Sequence, residues 1–303
     1  MGITNPAGAA LFKIFAESKF SNSSRKKRAL QLGVQSSYLS KEFIHKLYDC
    51  FNSAKTSECN ISLIDSFLST DIIPLNIFLE MWGYEIESLD LSDYESAKII
   101  ANLDTASINK FPNLKSKYDL IIDGGTLEHC FNIKNAIDFL NELLITNGMI
   151  FHFSPSNRMI DHGFFQLSPT FFYDLYSQSN YSLVFGGLVK SPESFSMEFL
   201  KIFPYRFDLY RTFGKKYVLQ LPQMDVIFCA RKTLNSKIPI SVKQSFYKYK
   251  HKNLIDSKNN ILYEVNSSIV LKRRFVSKLA YLIIFLNSWL ITFMKKIFLF
   301  SKN

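Results

Sequence analysis

YDLIIDGGTLEH, residues 118–129, is the strongest single indication of the fold. The apolar run at its centre is typical of a strand that is buried on both faces of a parallel sheet. The run stops at Asp123, and Gly124 and Gly125 end the strand. The segment therefore predicts a buried parallel strand whose carboxyl end carries polar and glycine residues.

Strand and helix patterns alternate on both sides of this segment. Strands are predicted for RALQLGV (28–34), EIESLDL (85–91), KIIANLD (98–104) and MIFHFSP (149–155). Helices are predicted for YLSKEFIHKLYDCF (38–51), NAIDFLNELLI (135–145) and PTFFYDLYSQ (169–178), with two short ones on either side of Pro74. YSLVFGGLV (181–189) and DVIFCARK (225–232) form a final strand pair. This order predicts an α/β fold, a doubly wound, mostly parallel, Rossmann-like sheet with a terminal antiparallel strand pair.

Three segments follow from composition and charge. Residues 1–27 are predicted to be a leader, 28–235 the α/β domain with an insertion at 190–223, and 236–303 a basic, partly helical tail. The tail has 13 Lys and Arg against 2 acids, whereas the remainder has 23 basic and 24 acidic residues. The neutral body argues against nucleic acid as a partner. The amino terminus lacks the pattern of a secretory signal, and the four cysteines form no CxxC pair, so a cytoplasmic protein with reduced thiols is expected.

The tail contains an apolar helix candidate at residues 279–294, which has basic residues on both sides. Sixteen helical residues span about 24 Å, which is short of the ~30 Å hydrocarbon core. Three arrangements stay open: a helix in the plane of the membrane surface, packing against the body or another subunit, and full spanning. The basic flanks favour an anionic membrane surface as the partner of residues 271–303, on the inner face of the membrane.

Ligands of doubly wound sheets bind outside the carboxyl ends of the strands. The residues directly after the predicted strands are therefore the candidates for a binding site. They are Gly33, Asp90, Asn102, the stretch 123–129 and the stretch 154–162. Asp90 is suited to accept hydrogen bonds from ribose hydroxyls, and the alternative is a solvated carboxylate or a cap for the next helix.

The order of these strands, with YDLIIDGGTLEH and NGMIFHFSP, resembles the class I S-adenosylmethionine-dependent methyltransferases, in particular small-molecule members with LEH after the fourth strand. The resemblance covers residues 28–179. SLDLSDYESAKIIANLD and HGFFQLSPTFFYDLY are similar to a branch that modifies surface polysaccharides and lipid-linked sugars. One departure concerns the first loop, LQLGVQSSY, which has a single glycine and Gln31 at the position that is usually acidic.

The resemblance implies S-adenosylmethionine as the cofactor and a role for each strand-end residue. These implied roles are Gly33 beneath the methionine part, Asp90 at the ribose, Asn102 at the adenine amino edge, Asp123 and Gly124 near the sulfonium, and Glu128 with His129 at the wall towards the substrate.

Methyl transfer to a hydroxyl needs a base, and histidine suits this role near neutral pH. His162 and His129 are the candidates for a base or a substrate contact, and the alternative for both is a hydrogen bond that fixes a loop. His152 lies inside a predicted strand, where a hydrogen-bonded core residue is expected. Glu128 and His129 alone make a poor metal site, so no metal is expected.

The sequence thus predicts an S-adenosylmethionine-dependent methyltransferase that acts on a hydroxyl of a sugar or lipid-linked glycan, or on another small molecule. The alternative is a catalytically inactive methyltransferase-like protein that docks to a membrane or partner through its tail. A nucleotide-sugar enzyme is a weaker third reading, because no DxD motif serves a diphosphate. The aromatic residues of the insertion either cover an acceptor pocket or pack in the core; they are Phe203, Tyr205, Phe207, Tyr210 and Phe213. The acceptor and the oligomeric state stay open.

Overall fold

The computed structural model describes residues 2–18, 25–51, 59–93, 95–190, 202–204 and 223–245. The predicted apolar helix at 279–294 and the segment 271–303, which was predicted to bind an anionic membrane, lie outside the described residues. The same holds for most of the insertion, including Tyr205, Phe207, Tyr210 and Phe213. Within the described ranges, no helix combines the length and the apolar character that a membrane crossing requires.

The described chain contains short and long strands that alternate with helices. The strands are β1 (Gly2–Ile3), β2 (Lys27–Leu32), β3 (Ser36–Ser37), β4 (Leu39–Ser40), β5 (Ile72–Ile73), β6 (Tyr84–Asp90), β7 (Ile99–Ile100), β8 (Tyr118–Asp123), β9 (Leu144–Asn157), β10 (Ser182–Lys190), β11 (Ile202–Pro204) and β12 (Met224–Arg231). The helices are α1 (Asn5–Glu17), α2 (Lys41–Phe51), α3 (Ser62–Ser66), α4 (Leu75–Glu80), α5 (Ile133–Leu143) and α6 (Pro169–Gln178). Two 3₁₀ turns cover Pro112–Leu114 and Leu127–His129.

Eight of these strands form the central sheet, in the order β11-β10-β12-β9-β8-β2-β6-β7. The five strands from β7 to β9 run parallel to one another, whereas β12 pairs antiparallel with both β9 and β10. This confirms the predicted doubly wound, mostly parallel sheet with a terminal antiparallel pair. The chain builds outwards from β2 through β6 to β7, and then in the opposite direction from β8 to β9. The strand order therefore reverses between β2 and β8, which is where such sheets bind ligands.

The sheet is buried on both faces, as the apolar pattern of β8 predicts. Leu120 and Ile122 of β8 belong to the core on one face, together with α1, α2 and α4. Ile121 belongs to the core on the other face, together with α5 and α6. Successive side chains of a strand point to opposite faces, so a continuous apolar run supplies both cores.

The predicted leader, residues 1–27, contains a helix that is part of the first core. Helix α1 buries its side chains on every side, from Asn5 to Phe15. Phe12 packs edge-on against Trp82 with ring centroids 5.0 Å apart, and Phe15 lies 5.5 Å from the same ring. A helix that is apolar all round belongs inside a protein. Residues 2–18 therefore pack as a structural part of the domain, so a leader that extends to residue 27 is not what the structure shows.

Candidate active site

The carboxyl ends of three strands meet where the strand order reverses. The N–H of Gly33, directly after β2, donates to the carbonyl of Leu89 in β6 over 2.8 Å. Thr126, after β8, donates from Oγ1 to the carbonyl of Leu32 over 2.8 Å. These bonds hold the ends of β2, β6 and β8 together, so their loops form one edge.

Gly33 lies at the centre of this edge. Its φ of +69° is in the left-handed region, which glycine adopts without a steric cost. A Cβ at this position would lie 3.2 Å from Gln35 Nε2, 3.5 Å from Thr126 Oγ1 and 3.7 Å from Asp90 Oδ2. The structure therefore brings Gly33 and Asp90 together, as the sequence predicted. We give the name edge cleft to the strand-end site formed by Gly33, Gln35, Asp90, Gly124 and Thr126.

Gln35 and Thr126 were not singled out in the sequence. The side-chain amide of Gln35 lies between Gly33 and Gly124. A Cβ on Gly33 would lie 3.2 Å from its Nε2, and a Cβ on Gly124 would lie 2.5 Å from its Oε1. This Oε1 is buried and has no hydrogen-bond partner among the described residues. The backbone N–H of Gln35 donates to Gln31 Oε1 over 3.1 Å, so Gln31 shapes the first loop. The only sequence signal for Gln35 is its place in the loop after β2.

Asp90 and Asn102 both stabilise turns with one oxygen. Asp90 Oδ1 accepts from the N–H of Leu91 over 2.5 Å in a turn, not at the start of a helix, while Oδ2 is the oxygen near Gly33. Asn102 Oδ1 accepts from the N–H of Asp104 over 2.9 Å, and its side chain is exposed. The N–H of Ala101 donates to the carbonyl of Asp90 over 2.8 Å, so Asn102 lies next to the end of β6.

Asp123 is fully buried, and both of its carboxylate oxygens contact other groups of the protein. Oδ1 accepts from the N–H groups of Thr126 and Leu127 over 2.9 and 3.2 Å. Oδ2 lies 2.8 Å from His152 Nδ1, and His152 Nε2 lies 2.6 Å from the hydroxyl of Tyr176. His152 is thus the buried, hydrogen-bonded core residue that the sequence predicted. Both carboxylate oxygens of Asp123 are therefore engaged within the protein.

Glu128, His129 and His162 form a second group beside the edge cleft, which we call the Glu–His cluster. Glu128 and His129 lie on the 3₁₀ turn Leu127–His129, and His162 comes from the loop between β9 and α6. One ligand atom of each residue lies within 4.8 Å of the other two. His162 Nε2 is 3.7 Å from Glu128 Oε1, and the two imidazole rings are 5.4 Å apart.

The loop that carries His162 is pressed against Glu128. The N–H of Phe165 donates to the carbonyl of Glu128 over 3.2 Å. A Cβ at Gly163 would lie 2.9 Å from this carbonyl oxygen and 3.2 Å from Glu128 Cγ, so only glycine allows this approach. The turn predicted at Gly163 thus serves to place His162 over the 3₁₀ turn.

Burial changes the electrostatics of the Glu–His cluster. Loss of hydration, with the nearby charge of Asp123, raises the pKa of Glu128 to about 8. Burial also lowers the pKa of His129, and burial together with the charge of His129 lowers the pKa of His162. The cluster therefore favours neutral imidazoles and disfavours an isolated carboxylate.

An exposed aromatic pair lies next to this cluster. Phe131 and Phe164 meet edge to face with ring centroids 5.8 Å apart, and they are 74% and 68% exposed. Contiguous exposed apolar groups are one feature of ligand and partner sites. The HGFFQ string of the sequence is what brings Phe164 to this position.

No protein-family model and no curated protein matches the sequence. A search of solved structures finds the CurJ carbon methyltransferase, at 12% identity over 75% of this chain and 55% of that chain, with a TM-score of 0.40. It also finds the 1,6-didemethyltoxoflavin-N1-methyltransferase of Burkholderia thailandensis with bound S-adenosylhomocysteine, at 11% identity over 75% of this chain and 76% of that chain, with a TM-score of 0.38.

A third structure in that search is a SAM-dependent methyltransferase from Archaeoglobus fulgidus, at 9% identity over 76% of this chain and 95% of that chain, with a TM-score of 0.37. All three are methyltransferases, the class that the sequence resembles. The chain spans about half the length of the CurJ structure. The strand order of the central sheet is what defines the Rossmann-like fold of this chain.

Proposed function

We propose that this chain is an S-adenosylmethionine-dependent methyltransferase that acts on a hydroxyl. The observation that carries the proposal is the edge cleft, which lies where the strand order reverses and borders the Glu–His cluster. This is the position at which doubly wound sheets bind nucleotide-like ligands. A cofactor in the edge cleft would have the Glu–His cluster as its neighbour on the acceptor side.

The residues of the edge cleft fit this cofactor. Gly33 leaves its backbone open to close approach, and Asp90 Oδ2 points to the same space, where it can accept from ribose hydroxyls. The buried Oε1 of Gln35 is an acceptor in need of a donor, such as the cofactor's ammonium group. Asn102, which is exposed beside Asp90, is placed for the adenine edge. The bound cofactor supplies an activated methyl group on a positively charged sulfur.

The protein's part in such a reaction is to orient the acceptor and remove its proton. Methyl transfer requires alignment of the acceptor oxygen, so binding geometry contributes most of the rate. His162 and His129 are the groups that would contact the acceptor hydroxyl, because both lie at the rim of the cluster. Gly163 and the bond from Phe165 hold His162 there. Gly124 supplies the wall between Gln35 and the turn that carries Glu128.

For the acceptor we propose a sugar or a lipid-linked glycan. The support is the exposed pair Phe131 and Phe164, since aromatic faces stack on the apolar faces of sugar rings. The proposed anionic membrane partner of residues 271–303 would bring the enzyme to such lipid-linked acceptors. Sedimentation of the full chain with vesicles that contain anionic lipid tests this. A chain truncated before residue 271 should stay in the supernatant, and equal sedimentation of both chains would contradict the assignment.

Calorimetry with S-adenosylhomocysteine tests the proposed function. We expect the full chain to bind, and Asp90→Ala to lose at least about tenfold in affinity, or about 1.4 kcal/mol. Asp93→Ala is the matched control, because Asp93 is an exposed acid in the same loop. If no binding occurs at millimolar ligand, or if both variants lose affinity equally, the proposal fails.

The alternative is a methyltransferase-like protein without catalysis, and Gln35 is the observation that favours it. Its side chain lies between Gly33 and Gly124, in space that a cofactor needs. If Gln35 closes the edge cleft, Gln35→Ala should bind S-adenosylhomocysteine where the natural chain does not. If Gln35 is a cofactor ligand, the same variant should bind more weakly than the natural chain. Whether Gln35→Ala raises or lowers the affinity for S-adenosylhomocysteine therefore distinguishes the inactive protein from the enzyme.

A further inference from the structure

Two imidazoles and one carboxylate point their ligand atoms into a common space in the Glu–His cluster. The sequence offered only the adjacent pair Glu128 and His129, and on that basis no metal was expected. The fold adds His162 from a loop 33 residues further along the chain, so that three ligand atoms converge within 4.8 Å. Two nitrogens and one oxygen from the protein are a common set at metal sites that keep open coordination positions.

The distances fit a shared ion better than a direct hydrogen bond. His162 Nε2 and Glu128 Oε1 are 3.7 Å apart, which is too far for hydrogen bonding. With metal–ligand bonds of about 2.1 Å, this separation corresponds to an angle of about 120° at an ion between them. Ligand atoms around such an ion lie about 3–3.7 Å apart, so the widest separation must close by about 1 Å. His129 is exposed and His162 is partly exposed, and we expect small rotations of their rings to close this separation.

The buried groups of the cluster lack the partners that such groups normally have. Both carboxylate oxygens of Glu128 and the Nε2 of His162 are buried, and none has a hydrogen-bond partner among the described residues. Glu128 is fully buried and lies near the buried carboxylate of Asp123. Buried polar atoms in proteins normally have partners, and a divalent cation would serve every one of these atoms.

The nature of the ligands selects the kind of cation. Imidazole nitrogens favour zinc, copper, iron and nickel ions, whereas magnesium, calcium and manganese prefer oxygen ligands. The loop contacts through Gly163 and Phe165 act on the main chain of Glu128, so they fix the carboxylate without using its oxygens.

We propose that Glu128, His129 and His162 bind a divalent transition-metal cation of the zinc class, with open positions towards the acceptor side. The site itself is independent of the proposed reaction. The role of the cation in catalysis rests on the proposed function. The cation would bind the acceptor's hydroxyl oxygen and favour loss of its proton to water. In that state the two histidines act as ligands rather than as bases.

Metal binding can be measured on the full chain without any cofactor. The protein is stripped with a chelator, and Co²⁺ is titrated while the visible d–d absorption is recorded, followed by displacement with Zn²⁺. We expect one equivalent of Co²⁺, its displacement by Zn²⁺, and at least about tenfold weaker binding of Mg²⁺. Glu128→Gln and His162→Gln should each weaken Co²⁺ binding at least about a hundredfold.

His45→Gln is the matched control, because His45 is partly exposed and pairs with Asp65 away from the cluster. It should bind Co²⁺ like the natural chain. Thermal unfolding of each metal-free variant shows whether it is folded. If Glu128→Gln does not fold, the milder variant His129→Gln replaces it in the Co²⁺ titration. No spectrum at millimolar Co²⁺, or equal binding by His162→Gln and His45→Gln, overturns the site. S-adenosylhomocysteine binding to the metal-free chain is scored separately, so failure of the metal site and failure of the proposed function are distinguishable.

Discussion

His152 Nδ1 lies 2.8 Å from Asp123 Oδ2, and both side chains are fully buried. This bond joins the end of β8 to β9, while the other oxygen of Asp123 fixes the turn that leads to Glu128. The hydroxyl of Tyr176 in α6 lies 2.6 Å from His152 Nε2 on the other side of the imidazole ring. The buried hydrogen-bonded series Asp123–His152–Tyr176 therefore links the strand ends of the candidate active site to helix α6.

Loss of the Tyr176 hydroxyl should destabilise the domain. Tyr176→Phe leaves His152 Nε2 buried without its partner, so we expect a loss of about 1–3 kcal/mol in the free energy of unfolding. Tyr181→Phe is the control, since its hydroxyl bonds the less buried Asn141 over 2.8 Å. Urea denaturation measures both, and an equal loss in the two variants would contradict a structural role for the His152 chain.

A side chain at Gly33 should impair binding as well as stability. Gly33→Ala forces alanine into φ +69° and places a Cβ among Gln35, Thr126 and Asp90. We expect a loss of about 1–2 kcal/mol in stability and at least about tenfold weaker binding of S-adenosylhomocysteine. Gly83→Ala carries a similar backbone strain, at φ +77°, with nothing within 4 Å of the new Cβ. It should lose stability alone; if its affinity drops as well, the effect at Gly33 is not local.

The amino-terminal helix should be essential to the core. Phe12 is fully buried against Trp82, so Phe12→Ala should cost about 3–5 kcal/mol in the free energy of unfolding. Leu68→Ala, at a side chain that is 87% exposed, should change it by less than about 0.5 kcal/mol. Denaturant titration of both variants is the measurement. A mild effect of Phe12→Ala would show that residues 1–27 are a dispensable leader after all.

Glu87 should make stability depend on pH in the acid range. Burial opposes its ionisation, but contacts with Lys117, Lys98 and Tyr118 outweigh burial and lower its pKa to about 2. Because the folded-state pKa lies below the ordinary value of 4.5, this stabilisation is present above pH 4.5 and is lost as the pH falls towards 2. Solvent screening at exposed Lys98 limits it to about 1–2 kcal/mol.

The comparison of Glu87→Gln with the natural chain isolates this effect. The natural chain should be more stable above pH 5, and the difference should shrink as the pH approaches 2. Glu80→Gln, at an exposed carboxyl in α4, is the control and should show no such trend. A difference for Glu87→Gln that is constant with pH would contradict the ion-pair account.

The sequence predicted the parts of the molecule that depend on local pattern. The apolar run of β8 indicated burial on both faces, and Pro169–Gln178 is the helix predicted for PTFFYDLYSQ. Gly33 and Asp90 were placed correctly at the sheet edge, because parallel strands bring their carboxyl ends together.

What the sequence could not predict depends on contacts between distant segments. Gln35 lies between two glycines, one of which belongs to another strand end, and no local pattern encodes that contact. The convergence of His162 on Glu128 depends on the path of the loop after β9. Helix α1 falls within the predicted leader, because its burial depends on packing against distant residues such as Trp82.

The most direct test of the central claim is a crystal structure of the full chain with S-adenosylhomocysteine. The account predicts that the ligand occupies the edge cleft, with its ribose hydroxyls within hydrogen-bond distance of Asp90 Oδ2 and its sulfur towards the Glu–His cluster. A ligand bound elsewhere, or an edge cleft still filled by Gln35 at saturating ligand, would contradict it.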